Sequence, residues 1–516
     1  MSELLPQDPN GSRRIAFSVF AFALLSGIVL MTPLLDAGPL VLDEHGSYWL
    51  VDADQPGTTL SRSLDYAAIP PLSAWVQKAF LTVLGKCEIA FRASSAACYL
   101  LAIVVTYLLG RELHSPLTGA LAAAVLAWHP EAMDEVRIAR CYGLVMLTAA
   151  TLLWVTVRWS RRPDRPIWGA AWGVAAAAVA WTHYMAVPLA GLALLSVPFS
   201  RSERKSPSRF VVGLAVALLI SGVLCGPLFT AVLRMWEWGP FLNYQRESQP
   251  LWRMIGPVWW VGFPVGVSVS WLVSRFVSAP GANADDRAAL PAGRLIFWSV
   301  VPTLLIAAVA RDDLTSLANP RYRVAYAVPT ACLLAGWIVT LGRKPVPAFV
   351  ATLAALMAAW CLSPRLPFET GRLGAPTATQ WERAARVLEE QGVAGDLLFV
   401  QSGLIESNLV PRFYADDQFL EYVACRMSRF YLETPHPRIG LPFFWNAGRG
   451  PEERFSEMLE ENARADRQDV WIACATDTDL NRQSLDGVEQ LLSRAGYRIV
   501  EEWVEPALVM RRYEPP

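Results

Sequence analysis

From its amino terminus to about residue 362 the chain alternates long apolar runs with short polar breaks, and beyond that point its character changes. Crossing a bilayer takes roughly 17–25 apolar residues in a helix. Runs of that order occupy 15–35, 91–110, 117–133, 142–158, 166–182, 184–200, 210–231, 254–274, 294–310, 323–341 and 346–362. The pattern predicts about eleven spanning helices. Ten or twelve are the alternatives, because two short helices must turn at Trp181-Thr182-His183-Tyr184. The run after Arg13 and Arg14 is long and lacks a clear small-x-small cleavage site, so it reads as an uncleaved first span and not a signal peptide.

One break is long, residues 36–90. Inside it, Pro70-Pro71-Leu72 opens and Gly85 closes a stretch with the start and stop signals of a helix. Its apolar positions and single Lys78 suit a helix lying along the membrane surface, with a short soluble helix as the plainer alternative. After Cys361, residues 363–380 are rich in Pro, Gly and Thr and read as a linker. Trp381–Glu390 then has an amphipathic pattern, Asp396–Gln401 and Asp469–Cys474 read as strands, and Leu485–Ala495 as a helix. Tyr497–Glu505 and Leu508–Tyr513, separated by Pro506-Ala507, form a terminal hairpin. Strand and helix in alternation predict a small α/β domain over 381–516, without a phosphate-binding glycine fingerprint. The fold class is thus a polytopic α-helical membrane domain, 1–362, followed by a linker and an α/β domain.

Composition sharpens this picture. Hydrophobic residues make up 53% of the 516 positions and charged residues 18%, and 21 Trp suit membrane interfaces. A net charge of −1 gives no reason to expect nucleic acid or an acidic partner. The eight Cys are scattered without metal-binding spacing. Cys425 and Cys474 fall in the polar final third, where pairing is open to them if that part is extracytoplasmic.

Basic residues orient the bundle. With the amino terminus inside, inner loops hold Arg111, Arg158, Arg161, Arg162, Arg165, Arg201, Arg204, Lys205, Arg209, Arg275, Arg287, Arg294, Arg343 and Lys344. Short outer loops hold fewer: Arg137, Arg140, Arg234, Arg246, Arg253, Arg311, Arg321 and Arg323. An odd number of spans then places the carboxy-terminal domain outside, and the membrane is read as the cytoplasmic (inner) one.

The outer segments also gather ionisable groups. Asp43, Glu44 and His45 follow the first span, and His129 to Tyr142 joins the third and fourth. His183 and Tyr184 mark the next outer turn, and Arg321-Tyr322-Arg323 heads a late span. Three of the five His therefore fall on one side. An adjacent Asp-Glu pair is either a solvated acidic loop or a catalytic base at the mouth of a membrane cavity, since ionisable groups near membrane depth tend to be functional. Arg321 and Arg323 are alternatively interface anchors, and Arg140 alternatively pairs with Asp134 or Glu135. Glu44, His129, Asp134 and Glu135 are donor types that suit a divalent cation, although their spacing is not diagnostic.

Several motifs together resemble the GT-C type glycosyltransferases, in the lineage of dolichyl-phosphate-mannose protein mannosyltransferase and lipid A aminoarabinose transferase. They are Asp43-Glu44, Pro70-Pro71-Leu72, Gly85 with Glu88 and Arg92, Ala139-Arg140-Cys141-Tyr142, and Arg321-Tyr322. The resemblance covers roughly residues 15–341. Cys141 stands where that lineage usually has Pro, and Ile69 where a polar residue often precedes the prolines. The resemblance implies an inverting enzyme that moves a sugar from a polyprenyl phosphate to a hydroxyl or amine of a protein, lipid or glycan acceptor at the outer face. Asp43 is then the general base, with Glu44 orienting the acceptor, holding a cation or sharing the proton. Arg321, Arg323, Arg140 and His183 bind the donor phosphate, for which planar guanidinium forks are suited. His45, Tyr142, Tyr184 and Tyr322 line the substrate cavity. A transporter or flippase of a lipid-linked saccharide is the competing reading, against which no inverted repeat is apparent. An anchored assembly protein ranks below both, since one span would suffice as an anchor.

Overall fold

The computed structural model describes residues 9–35, 38–52, 56–67, 69–198, 207–235, 292–312, 320–341, 376–424, 429–445, 450–465 and 469–516, together with Glu237 and Met427. The expected spans at 254–274 and 346–362 lie outside the described residues, as does Cys425. The other apolar runs all fall on helices.

In chain order, α1 is Pro9–Leu35, α2 Leu42–Val51, α3 Pro56–Ser61, α4 Leu72–Leu84 and α5 Glu88–Leu113. They are followed by α6 Pro116–Ala127, α7 Pro130–Val136, α8 Tyr142–Arg161, α9 Pro166–Ala180, α10 Val187–Ser196 and α11 Pro207–Met235. Then come α12 Ala292–Asp312 and α13 Ala327–Leu341. The segment 36–90 is thus largely helical, with a π-helical turn at Arg62–Ala67 between α3 and α4. As expected, α4 stops at Gly85, whose φ of +89° is a conformation that glycine adopts readily. The run 117–133 is not one helix. Pro130 disfavours helical backbone at His129, and the chain restarts as α7 with His129 as its cap.

Among the described residues five helices are long and apolar enough to cross a membrane: Arg13–Thr32, Glu88–Leu113, Tyr142–Arg161, Pro207–Arg234 and Arg321–Val339. Phe17, Leu25 and Val29 of α1 and Leu219, Val223 and Phe229 of α11 are largely exposed, as lipid-facing side chains are in a bundle. The chain is a multi-pass membrane protein.

The described chain sorts into two compact units. The first draws on Met1–Leu35, Phe91–Thr230 and Gln245–Glu369. Lipid gives helices no hydrophobic reason to associate, so close packing of small residues must hold them. Here a Cβ at Gly169 would strike the Gly213 carbonyl, and one at Gly119 the carbonyl of Tyr107, so α9 meets α11 and α6 meets α5 backbone to backbone.

The second unit draws on Asp36–Ala90, Ala231–Tyr244 and Thr370–Pro516, so the first long segment groups with the carboxy-terminal part. That part runs α14 Pro376–Gln391, β1 Leu397–Gln401, α15 Asp417–Val423, β2 Arg438–Gly440, α16 Gly450–Ala465, β3 Val470–Ala475, α17 Asp479–Arg494, β4 Arg498–Glu505 and β5 Leu508–Glu514. The five strands form one mixed sheet in the order β2-β1-β3-β5-β4, parallel across β2-β1-β3 and antiparallel across β3-β5-β4. Every residue of β3 is buried, as a strand covered on both faces requires. Phe399, Ile472, Val488 and Leu492 pack on one side, and Trp381, Leu388, Trp471 and Met510 on the other. Within β3, Cys474 is a buried free thiol, hydrogen-bonded to the carbonyls of Ala475 and Asn481.

Candidate active site

In the first unit the polar residues converge at the ends of several helices. His129 accepts a hydrogen bond on Nδ1 from Ala132 N at 3.3 Å and so starts α7. The chain then passes through Arg137–Cys141 into α8. His183 does the same for the next 3-10 turn, Tyr184–Ala186, accepting from Met185 N at 3.2 Å. A third such segment, the 3-10 turn Pro320–Tyr326, leads into α13 and packs against α7, α8 and Tyr184–Ala186. Tyr326 ties it down by donating from its hydroxyl to Met185 O at 2.8 Å.

These three segments, distant in sequence, bring Tyr142, His183 and Tyr322 into a row. Ring centroids lie 6.1 Å apart for Tyr142–His183 and 5.8 Å for His183–Tyr322. Arg321 caps the row, its Cζ 5.1 Å from the Tyr322 ring centroid and its Nη2 3.3 Å from the Tyr322 hydroxyl oxygen, to which it donates. Desolvation first, and then the charges of Arg140 and Arg321, push the pKa of His183 down to about 3. The imidazole is therefore neutral at pH 7, and the guanidinium groups carry the positive charge. The same two arginines and Glu135 act on the Cys141 thiol, which burial pushes up to about 11. Arg140, Arg321, His183, Tyr142 and Tyr322 thus form one cluster.

Arg323 has a different setting. It is 1% exposed, and the charge that acts on it is the carboxylate of Glu131, itself 8% exposed. Glu131 was not singled out in the sequence, because an acid inside the first turn after a proline looks like a helix-start signal. The hydroxyl of Tyr184 is buried without a hydrogen-bond partner among the described residues. Of the two acids considered above for Arg140, Asp134 is paired with Arg137. With His129 capping α7 and Asp134 in that ion pair, no group of three His, Cys, Asp or Glu suited to a metal ion occurs among the described residues.

Asp43, Glu44 and His45 belong to the second unit, and they are not in a solvated loop. They begin α2, where negative charge is favoured by the exposed N–H groups of a helix start. Glu44 is fully buried and its Oε2 accepts from Val41 N at 3.0 Å, closing the helix end. His45 is 1% exposed and meets Tyr431 edge-on at 5.8 Å, while the Tyr431 hydroxyl accepts from Leu40 N at 2.7 Å. Further along α2, Trp49 Nε1 donates to Glu421 at 3.2 Å. Asp43 is only partly buried, so of the two carboxylates it is the one with solvent access.

The fold is that of the GT-C membrane glycosyltransferases. Residues 68–225 match the family model described as dolichyl-phosphate-mannose-protein mannosyltransferase. The chain is similar to the crystal structure of ArnT from Cupriavidus metallidurans in the apo state, at TM-score 0.60 and 15% identity, over 96% of this chain and 98% of that one. The same ArnT bound to undecaprenyl phosphate gives 0.57 and 15%, over 95% and 97%. The mycobacterial arabinofuranosyltransferase AftD gives 0.50 and 16%, over 97% of this chain and 41% of that one. Comparison with curated proteins gives no match.

Proposed function

We propose that the chain is an inverting glycosyltransferase that takes a sugar from a polyprenyl phosphate and passes it to a hydroxyl or amine at the outer face of the cytoplasmic membrane. The observation that carries this reading is the Arg140–His183–Arg321 cluster with its two tyrosines, in a fold shared with a protein solved with undecaprenyl phosphate. As the bond from the anomeric carbon to the phosphate oxygen breaks, negative charge grows on the leaving phosphate. Fixed guanidinium groups stabilise that charge most where it is largest, in the transition state. Neutral His183 adds a hydrogen bond without competing for the charge.

On the acceptor side the attacking oxygen or nitrogen must lose a proton as it bonds to the anomeric carbon. We assign that proton to Asp43, the less buried of the acidic pair, as general base. Glu44 instead keeps α2 in place through Val41. Arg323 is assigned to Glu131 and to the position of the 3-10 turn, leaving Arg321 and Arg140 for phosphate. The topology we propose keeps the amino terminus inside and the carboxy-terminal domain outside, with the acceptor a protein, a lipid or a surface glycan.

The test is reconstitution of the full chain in nanodiscs with a panel of polyprenyl-phosphate sugars and labelled acceptors, followed by mass spectrometry of the products. A glycosylated acceptor and free polyprenyl phosphate in equal amounts support the reading. Lipid-linked sugar crossing a bilayer with no transfer product would replace it with translocation.

A further inference from the structure

The second unit contains a cavity of about 350 Å³ lined by Arg62, Arg429, Arg438, Glu421 and His436, among others. That volume is at the small end of ligand pockets, which span about 300–1,000 Å³. Three guanidinium groups share its wall with one carboxylate. Arg438 reaches Glu421 at 3.1 Å and stands 3.6 Å from Asp52 Oδ2, and Arg429 stands 3.7 Å from the same oxygen. These last separations are too long for hydrogen bonds, and Asp52 Oδ2 is buried without one. Arg62 donates to Trp49 O at 2.6 Å and lies over the Trp49 ring. Lys86 adds a further positive charge, anchored on the carbonyls of Arg429 and Leu432 and acting on Asp52. Lys86 also feels Glu433 and Glu389 and is balanced by them. The excess therefore rests on the three guanidinium groups against Glu421 and Asp52, one positive charge in a half-buried setting, where it is expensive without a counter-ion.

His436 supplies an independent sign of a ligand. It is 6% exposed, its Nδ1 lies 3.4 Å from Asp396 O, and its Nε2 has no hydrogen-bond partner among the described residues. If Nδ1 carries the proton towards that carbonyl, Nε2 offers a lone pair, which calls for a hydroxyl donor. Guanidinium forks and an imidazole acceptor in one wall thus ask for an anion with a hydroxyl beside it.

We propose that this cavity binds a monosaccharide-sized anion, one that carries a phosphate or carboxylate group next to sugar hydroxyls. Arg429, Arg438 and Arg62 take the charged group and His436 Nε2 accepts from a hydroxyl. The site stands on the geometry of this unit alone and holds whether or not the transferase reading does.

Binding is measured by titration calorimetry on the full chain in nanodiscs, with glucose 6-phosphate, glucuronate, inorganic phosphate and neutral glucose as probes. We expect one or both sugar anions to bind and glucose to bind far more weakly. Arg429→Gln should weaken the anion by about tenfold, the usual worth of one charged hydrogen bond. His436→Phe should weaken the sugar anions more than inorganic phosphate. Arg321→Gln, in the other unit, should leave this binding unchanged. In the wild-type chain the bound anion should also shield Arg429 from phenylglyoxal, read by peptide mass spectrometry, so the result does not depend on any variant folding. Absence of binding by both sugar anions at millimolar concentration would overturn the proposal, as would unchanged affinity in Arg429→Gln and His436→Phe or unaltered labelling of Arg429. Inorganic phosphate binding as tightly as glucose 6-phosphate would also overturn it, by removing the sugar from the ligand.

Discussion

Gly143 rests on the backbone of Ser95: a Cβ at that glycine would strike the Ser95 carbonyl, so the first turn of α8 and the second turn of α5 meet without a side chain between them. Arg140, Cys141 and Tyr142 immediately precede this contact. Their placement beside His183 and Tyr322 therefore depends on how closely two helices approach. Gly143→Ala should cost about 1–3 kcal/mol, as overpacking does, and lower the thermal midpoint of the purified protein. Gly222→Ala in α11, where a Cβ meets nothing within 4 Å, should instead hold or raise the midpoint, since alanine is the better helix former.

Arg321→Lys tests the fork against the charge. A lysine keeps the positive charge but presents a point donor in place of a planar pair. We expect kcat for transfer to fall by roughly 10²–10³, the scale seen on losing one donor to a developing oxyanion. The Michaelis constant for donor should move much less.

Arg323 and Glu131 are both buried and their charges act on each other, so removing one takes a counter-charge from the other. Glu131→Gln should destabilise the chain by about 3 kcal/mol. The double variant Glu131→Gln with Arg323→Met should recover much of that loss, read by thermal unfolding. A loss in the double variant equal to the sum of the two single ones would show that the residues do not act on each other.

The depressed pKa of His183, about 3, has a consequence for stability. Between the ordinary value of about 6.5 and about 3, the unfolded chain binds a proton at this residue and the folded chain does not. Stability falls as pH falls through that window. His183→Gln should remove this contribution, so its thermal midpoint should decline less than that of the wild type between pH 7 and pH 4. Parallel declines would place the titration elsewhere.

Much of this was legible in the sequence, for physical reasons. Apolar length marks a bilayer-crossing helix whatever its neighbours, so the runs carrying α1, α5, α8 and α11 could be read directly. Pro71 before Leu72 and Gly85 after Leu84 bounded α4 because both act through local backbone geometry. The strands β1 and β3 and the hairpin of β4 and β5 stood out by their apolar or β-branched runs. The short strand β2 did not, since Arg438-Ile439-Gly440 becomes a strand only by pairing with β1. The helix α16 also went unread, its apolar stripe of Phe455 and Leu459 being thin amid acidic residues.

The site shows the same division. That Arg140, His183 and Arg321 gather follows from topology, which spacing relative to the spans can reveal. That Arg323 faces a charge on Glu131 and that Glu44 caps α2 through Val41 depends on side-chain placement, which spacing does not encode. The guanidinium-lined cavity of the second unit was invisible for the same reason, since Arg62 meets Arg429 and Arg438 only after folding.

Transfer chemistry needs a base, and we assign that role to Asp43 in α2. The most direct measurement is single-turnover transfer from a polyprenyl-phosphate sugar to a labelled acceptor, comparing the wild type with Asp43→Asn at equal donor occupancy. We predict product from the wild type and a rate about 10²–10⁴-fold lower in Asp43→Asn, with donor binding intact. Transfer by Asp43→Asn at the wild-type rate would contradict that assignment.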